Sequence, residues 1–132
     1  MLASITSADQ LLWNDLEEIR LDTWVKGRVA LLGDAAHAMT PNMGQGAAMA
    51  IEDAFVLADE LARGADDLPS ALKRYEQRRR ARVDLIQTRS RRFGIIAQWE
   101  SPVACALRDF ALRLAPDSVG RRAVEDLAKA EI

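Results

Sequence analysis

Apolar residues fall in short blocks in the first third of the chain and at helical spacing through the rest. Val29-Ala30-Leu31-Leu32 is an apolar run between Gly27 and Gly33, the pattern of a strand buried on both faces. Upstream, Ile19 to Leu21 alternates as a strand does, and Trp24-Val25-Lys26-Gly27 reads as the turn joining the two. Beyond Pro41 the period changes. Ala47, Ile51, Ala54, Phe55, Ala58 and Leu61 recur at helical spacing, which predicts a helix over 44–62 with that face buried. Arg63-Gly64 ends it, Gly64 being suited to a left-handed cap, and 65–68 is a linker.

Pro69 fits the first turn of a longer helix, predicted over 69–99 and roughly 45 Å long at the standard rise. Its apolar members, Leu72, Tyr75, Val83, Ile86, Phe93 and Ile96 or Ala97, make a thin stripe on a basic rod. Ser101-Pro102 is an N-cap with a first-turn proline, so a helix follows over 102–115. Pro116-Asp117 breaks it, and Val119, Val124 and Leu127 mark a last helix over 118–130. Residues 1–10 are small and polar, an arm or a frayed helix start. The whole reads as a single α-rich α+β domain over 1–132, with one or two short strands followed by about four helices.

Composition adds little until it is divided along the chain. The 132 residues are 49% hydrophobic and 29% charged with net charge −2, an ordinary globular balance. Residues 1–72, however, carry net −8, 73–92 net +7 and 93–132 net −1. The arginines of the middle block, Arg78, Arg79, Arg80, Arg82, Arg89, Arg91 and Arg92, lack the aromatic platforms of a nucleic-acid surface, and they are expected to pair with acids on neighbouring elements or on a second copy. Trp13, Trp24 and Trp99 are expected as core or interface anchors. The single Cys105 has no internal disulfide partner and reads as a reduced, buried thiol. There is no signal-peptide pattern and no apolar run of membrane-spanning length, so a cytoplasmic location without membrane partners is expected.

Candidate chemistry gathers in Gly27–Ala48. Asp34 stands at the end of the apolar run, a place where an acid serves as a helix cap or as a ligand. Gly44 and Gly46 open an alanine-rich helix, and a glycine there costs about 1 kcal/mol against alanine unless backbone must approach something closely. Bare N–H groups and the positive end of a helix dipole make such a place a receptor for an electron-rich group. His37 is the single histidine, with no second ligand for a metal and no G-x-S-x-G for a serine triad. It reads as a turn histidine that orders the loop. Gly44-Gln45-Gly46-Ala47-Ala48-Met49 lacks the third glycine of a dinucleotide fingerprint and does not follow a strand.

The segment GRVALLGDAAHAMTPNMGQGAAMAIEDAFVLADEL resembles the second flavin-contacting motif of the FAD-dependent aromatic hydroxylases, the para-hydroxybenzoate hydroxylase-like monooxygenases. LKRYEQRRRARVDLIQTRSRRFG resembles the Y-E-x-x-R helix that follows it in that family, so the likeness covers about residues 17–94 and continues more weakly beyond. It implies the C-terminal part of the FAD/NAD(P)-binding fold of these enzymes, whose N-terminal Rossmann half with GxGxxG is not among these residues. It implies FAD as cofactor, NAD(P)H as reductant, and hydroxylation of a small aromatic ring. By the same resemblance Asp34 binds a ribityl hydroxyl, and Pro41 lies beside the flavin ring. Gly44, Gln45, Gly46, Ala47 and Ala48 place amides at its pyrimidine edge. His37 lies near the phosphate and ribityl end and is no catalytic base; no residue here is assigned a catalytic or metal-binding role. Expected partners are a second copy or a complementing Rossmann-containing polypeptide. The alternative is a truncated, non-catalytic helical protein that oligomerises or binds a partner through the former flavin face.

Overall fold

Helices α2 (Gly46–Arg63) and α3 (Leu68–Ala97) carry the architecture. They follow a small hairpin, β1 (Val25–Lys26) and β2 (Val29–Ala30), and a single helical turn, α1 (Asp34–His37). Helix α4 (Pro102–Leu114) comes last. The computed structural model describes residues 5–12, 14–64, 66–116, 118, 121 and 125, so most of the helix expected over 118–130, and Trp13, lie outside the described residues.

The hairpin differs from the expectation. Segment 24–27 is not a turn between strands but holds β1, which pairs antiparallel with β2 in the register Val25↔Ala30 and Lys26↔Val29. The reversal falls at Gly27, whose φ of 61° suits glycine. Ile19–Leu21 forms no strand; its backbone is taken up by loop contacts, with Ile19 N–H donating to Ala38 O and Gln87 Nε2 to Ile19 O. The Val29–Leu32 run is not buried on both faces either, since Val29 is 62% exposed.

The larger correction concerns α2. Its expected inner face, Ala47, Ile51, Ala54, Phe55, Ala58 and Leu61, faces outward. The inner face is Met49, Glu52, Asp53, Val56 and Glu60. The reason is α3, which presents arginines to it. Arg78 reaches Asp59 and Glu60 at 2.6 and 2.7 Å, Arg74 reaches Glu60 at 2.6 Å, and Arg82 reaches Glu52 at 2.8 Å. Glu52, Asp53, Asp59 and Glu60 of the acidic block and Arg74, Arg78, Arg79 and Arg82 of the basic block thus form one helix–helix seam. Around it Trp24, Ala36, Met49, Val56, Tyr75, Val83 and Ile86 form the apolar core. Arg80 lies 4.6 Å over the Trp24 ring, and the Tyr75 hydroxyl donates to Leu31 O, its pKa raised first by burial and then by the Asp53 charge.

Along α3 the stripe holds through Ile86 and then fails. Phe93 and Ile96 are exposed, and Gln87, Ser90 and Gly94 are buried instead, because they meet the loop before α2 and not another helix. Asp67 caps α3 by accepting from Ser70 N–H. Gly64 ends α2 at φ −120°, so it is not a left-handed cap. Trp24 is buried as expected, but Trp99 is 39% exposed. Helix α4 buries none of its residues; Arg108 ties it to α3 by donating to Ala97 O at 3.0 Å. Cys105 is half-buried and not enclosed, its Sγ 2.9 Å from Trp99 O.

Candidate functional site

The turn between β2 and α2 builds a concave pocket of about 450 Å³, lined by Asp34, Met39, Thr40, Pro41, Gly44, Gly46, Ala47 and Ala50. Five of the residues singled out in the sequence, Asp34, Pro41, Gly44, Gly46 and Ala47, are therefore brought together. Gln45 and Ala48 are not on the lining. Gln45 is the N-cap of α2, and Ala48 packs against the core. Met39, Thr40 and Ala50 join the pocket without any signal in the sequence beyond proximity.

Each contact has a local cause. Gly33 has φ 57° and φ is 63° at Gly44, both in the left-handed region where glycine is unstrained. Gly33 also lies against α2, where an added Cβ would meet Ala50 Cβ at 3.1 Å. Gly44 closes the 3-10 turn Pro41–Met43, so its backbone conformation accounts for it, and α2 starts two residues later, at Gly46. A Cβ on Gly46 would stand 4.0 Å from Asp34 Oδ1 and from Met39 Cγ, between the acid and the opposite wall. Asp34 is exposed, and among the described residues nothing bonds its carboxylate. The Gln45 side chain does not cap α2, and among the described residues no other side chain does, so the N–H groups of its first turn are open beside the same pocket.

Behind the turn lies a buried ionic cluster that the periodic reading missed. Asp53 is fully buried and accepts from Gly33 N–H at 2.9 Å, from His37 Nε2 at 2.6 Å and from Arg79 Nε at 2.7 Å. Burial pushes its carboxyl up, but the bonds from His37, Arg79 and Gly33 outweigh this and hold it below the usual carboxylate range. Glu52 is likewise lowered: the bonds from Arg82 and Arg79 outweigh its burial. His37, a turn histidine as expected, is 2% exposed, donates through Nε2 and has no partner for Nδ1 among the described residues. The available signal was Glu52-Asp53 in the middle of an apolar helix together with an arginine-rich partner helix. Among the described residues no group of three or more His, Cys, Asp or Glu is placed to hold a metal, and no helix is long and apolar enough to cross a membrane.

The loop wall is fixed from α3. Ser90 Oγ donates to Thr40 O at 2.6 Å, and Asn42 Nδ2 donates to Ser90 O at 3.2 Å. An open carboxylate, a run of free N–H groups and an apolar loop wall can accept from sugar hydroxyls, stabilise negative charge and lie against a flat ring.

A sequence model of the FAD binding domain family matches residues 6–90. The 2-heptyl-3-hydroxy-4(1H)-quinolone synthase of Pseudomonas aeruginosa is 50% identical over 120 residues, covering 89% of this chain and 30% of that protein. The 3-hydroxybenzoate 6-hydroxylase 1 of Aquipseudomonas alcaligenes is 59% identical over 71 residues, 54% of this chain and 18% of the relative. Among solved structures, Klebsiella pneumoniae HpxO complexed with FAD and uric acid matches with a TM-score of 0.69 at 34% identity, covering 81% of this chain and 26% of that one. The helix-rich fold with its two short strands thus corresponds to a fragment of that fold. The chain spans less than a third of the length of each of these three proteins.

Proposed function

This chain belongs to the FAD binding domain family, and we propose that it is the flavin-contacting portion of a FAD-dependent, NAD(P)H-using monooxygenase that hydroxylates an aromatic or similar ring. The observation that carries this reading is the pairing, in one pocket, of the unpartnered Asp34 carboxylate with the uncapped N-terminus of α2. The pocket, at about 450 Å³, takes part of such a cofactor and not all of it, so these residues form one wall.

Asp34 would hold FAD by accepting from a ribityl hydroxyl, and Pro41 would flank the ring. Gly46 and Ala47, with Gln45 and Ala48 beside them, would offer backbone N–H groups at its pyrimidine edge, while Gly44, whose N–H donates to Pro41 O at 3.0 Å, would shape the turn. When bound, FAD supplies the hydride and oxygen chemistry. This chain's residues bind and orient it, and the positive end of the α2 dipole favours negative charge on the pyrimidine side. The outward apolar face of α2, with Ile51 71% and Phe55 60% exposed, supports docking of a complementing Rossmann-containing polypeptide next to that wall. The same face supports the second reading, a non-catalytic helical protein that closes on another copy of itself.

Titration of the purified chain with FAD, followed by flavin fluorescence, tests the proposal. Saturable binding is expected, and Asp34→Ala should weaken it by about 1.5–3 kcal/mol, the worth of a hydrogen bond to a charged acceptor. Binding unchanged by Asp34→Ala would refute the assignment. No binding, together with a stable dimer in sedimentation, would favour the second reading.

A further inference from the structure

Helix α1 is a single turn, Asp34–His37, and one turn does not hold itself: nucleation fixes several dihedrals for one hydrogen bond. Nor does a side chain cap it, since its N-cap is Gly33. Ala36 packs into the core, and Gln87 Nε2 donates to His37 O at 3.2 Å and Ala38 O at 3.1 Å, but what ties both ends of the turn together is one oxygen of one buried residue. Asp53 Oδ2 accepts from Gly33 N–H, immediately before Asp34, at 2.9 Å and from His37 Nε2, at the end of the same turn, at 2.6 Å. Its other oxygen accepts from Arg79 Nε at 2.7 Å, which anchors the carboxylate to α3. Asp34 is thereby gripped on both sides by a group that has no access to the pocket, while its own carboxylate stays free.

We propose that Asp53 is a positioning residue: it sets the direction in which Asp34 faces the pocket by pinning both ends of α1 through Oδ2, with His37 as the second half of the tether. This rests on the flavin reading only for the ligand that Asp34 receives; the pinning itself is independent of it. Arg79 supplies the countercharge that lets the carboxylate stay ionised while fully buried, and an ionised carboxylate is what accepts two donors on one oxygen.

The test uses the full chain with Asp53→Asn, His37→Ala and, as a control for general destabilisation, Val56→Ala in the core of the same helix. Two quantities are read: amide hydrogen exchange resolved by residue, and FAD affinity by fluorescence titration. In Asp53→Asn and His37→Ala the amides of residues 33–37 should exchange at least tenfold faster relative to those of α2 and α3. The Gly33 amide resonance should shift in Asp53→Asn. FAD affinity should fall at least tenfold in both variants and stay within about twofold in Val56→Ala, which removes packing without touching the tether. Exchange at 33–37 that changes no more than in the rest of the chain, or an equal loss of FAD affinity in Val56→Ala, would overturn the proposal. Local loosening at 33–37 in a chain that does not bind FAD even as wild type would support the pinning and overturn the proposed function instead. Should Asp53→Asn not fold, His37→Ala reads the same tether with the Asp53–Arg79 pair intact.

Discussion

Replacing Arg79 by methionine probes the seam on which α2 and α3 meet. The guanidinium is 2% exposed, with Nε 2.7 Å from Asp53 Oδ1 and Nη1 2.7 Å from Glu52 Oε2. The two carboxylates fare differently without it. Glu52 keeps Arg82 at 2.8 Å. Asp53 keeps only His37 and the Gly33 N–H, and a buried carboxylate stripped of its cation is the costly case, about 3–5 kcal/mol. Methionine preserves most of the apolar stem, so little of that loss is packing. For a domain with about 5–15 kcal/mol in total, the variant loses a large fraction of its stability. Urea unfolding at pH 7, followed by far-UV circular dichroism and by tryptophan fluorescence, should show the midpoint lowered by about 1–3 M at unchanged m. Arg78→Met is the matched control. Arg78 binds Asp59 and Glu60 just as closely, at 2.6 and 2.7 Å, but is 31% exposed, so it should cost about 1 kcal/mol or less. In the double variant Asp53→Asn/Arg79→Met the loss should fall short of the sum by about 1 kcal/mol or more, because the charge leaves with its partner. A loss below about 1 kcal/mol for Arg79→Met, equal losses at 78 and 79, or strict additivity would refute the reasoning.

Gly94→Ala would place a Cβ 2.3 Å from Asn42 Nδ2, so Asn42 must swing off Ser90 O. The helix gains about 1 kcal/mol from alanine while about one hydrogen bond's worth is lost, so stability should move by less than about 1 kcal/mol. The Asn42 side-chain amide resonances should shift and FAD affinity should fall several-fold; unshifted resonances would contradict the packing described. Stability should also depend on acid in one direction. Glu52, Asp53 and Glu76 are each held below the usual carboxylate range: burial raises them, but bonds from Arg82 and Arg79, from His37, Arg79 and Gly33, and from Trp24 N–H and Arg80 outweigh it. With folded values depressed, the unfolded chain binds more protons below about pH 4, so stability is fully present above that range and falls as pH drops through the folded values. Urea midpoints measured from pH 7 to pH 3 should be level and then decline, and a midpoint that rose on acidification would contradict the ion-pair account.

Much of the site could be read along the chain because its residues are neighbours in it. Gly33-Asp34 and Gly44 to Ala48 lie within one turn–loop–helix unit, and local backbone chemistry brings Asp34, Pro41, Gly44, Gly46 and Ala47 to one pocket. The long helix was equally legible, from a proline at its start to the absence of any other break before Trp99. The hairpin was not, since a two-residue ladder leaves almost no periodicity and Gly27 can sit at the end of a turn or inside one.

What the sequence determined by itself, then, is the order and approximate extent of the three longer helices α2, α3 and α4, and the family to which the flavin-type motif belongs. Only the tertiary structure decided which way α2 faces. Period analysis buries the apolar side, Ile51 and Phe55 included, because it weighs each residue against water alone. Whether Asp53 or Glu52 belongs inside depends on a cation more than twenty residues away, and Arg79 and Arg82 become visible as their partners only once α3 lies along α2. Burial of a charge is a property of the pair. For the same reason the residue that holds Asp34 in place was hidden on the far side of the turn that the motif made conspicuous.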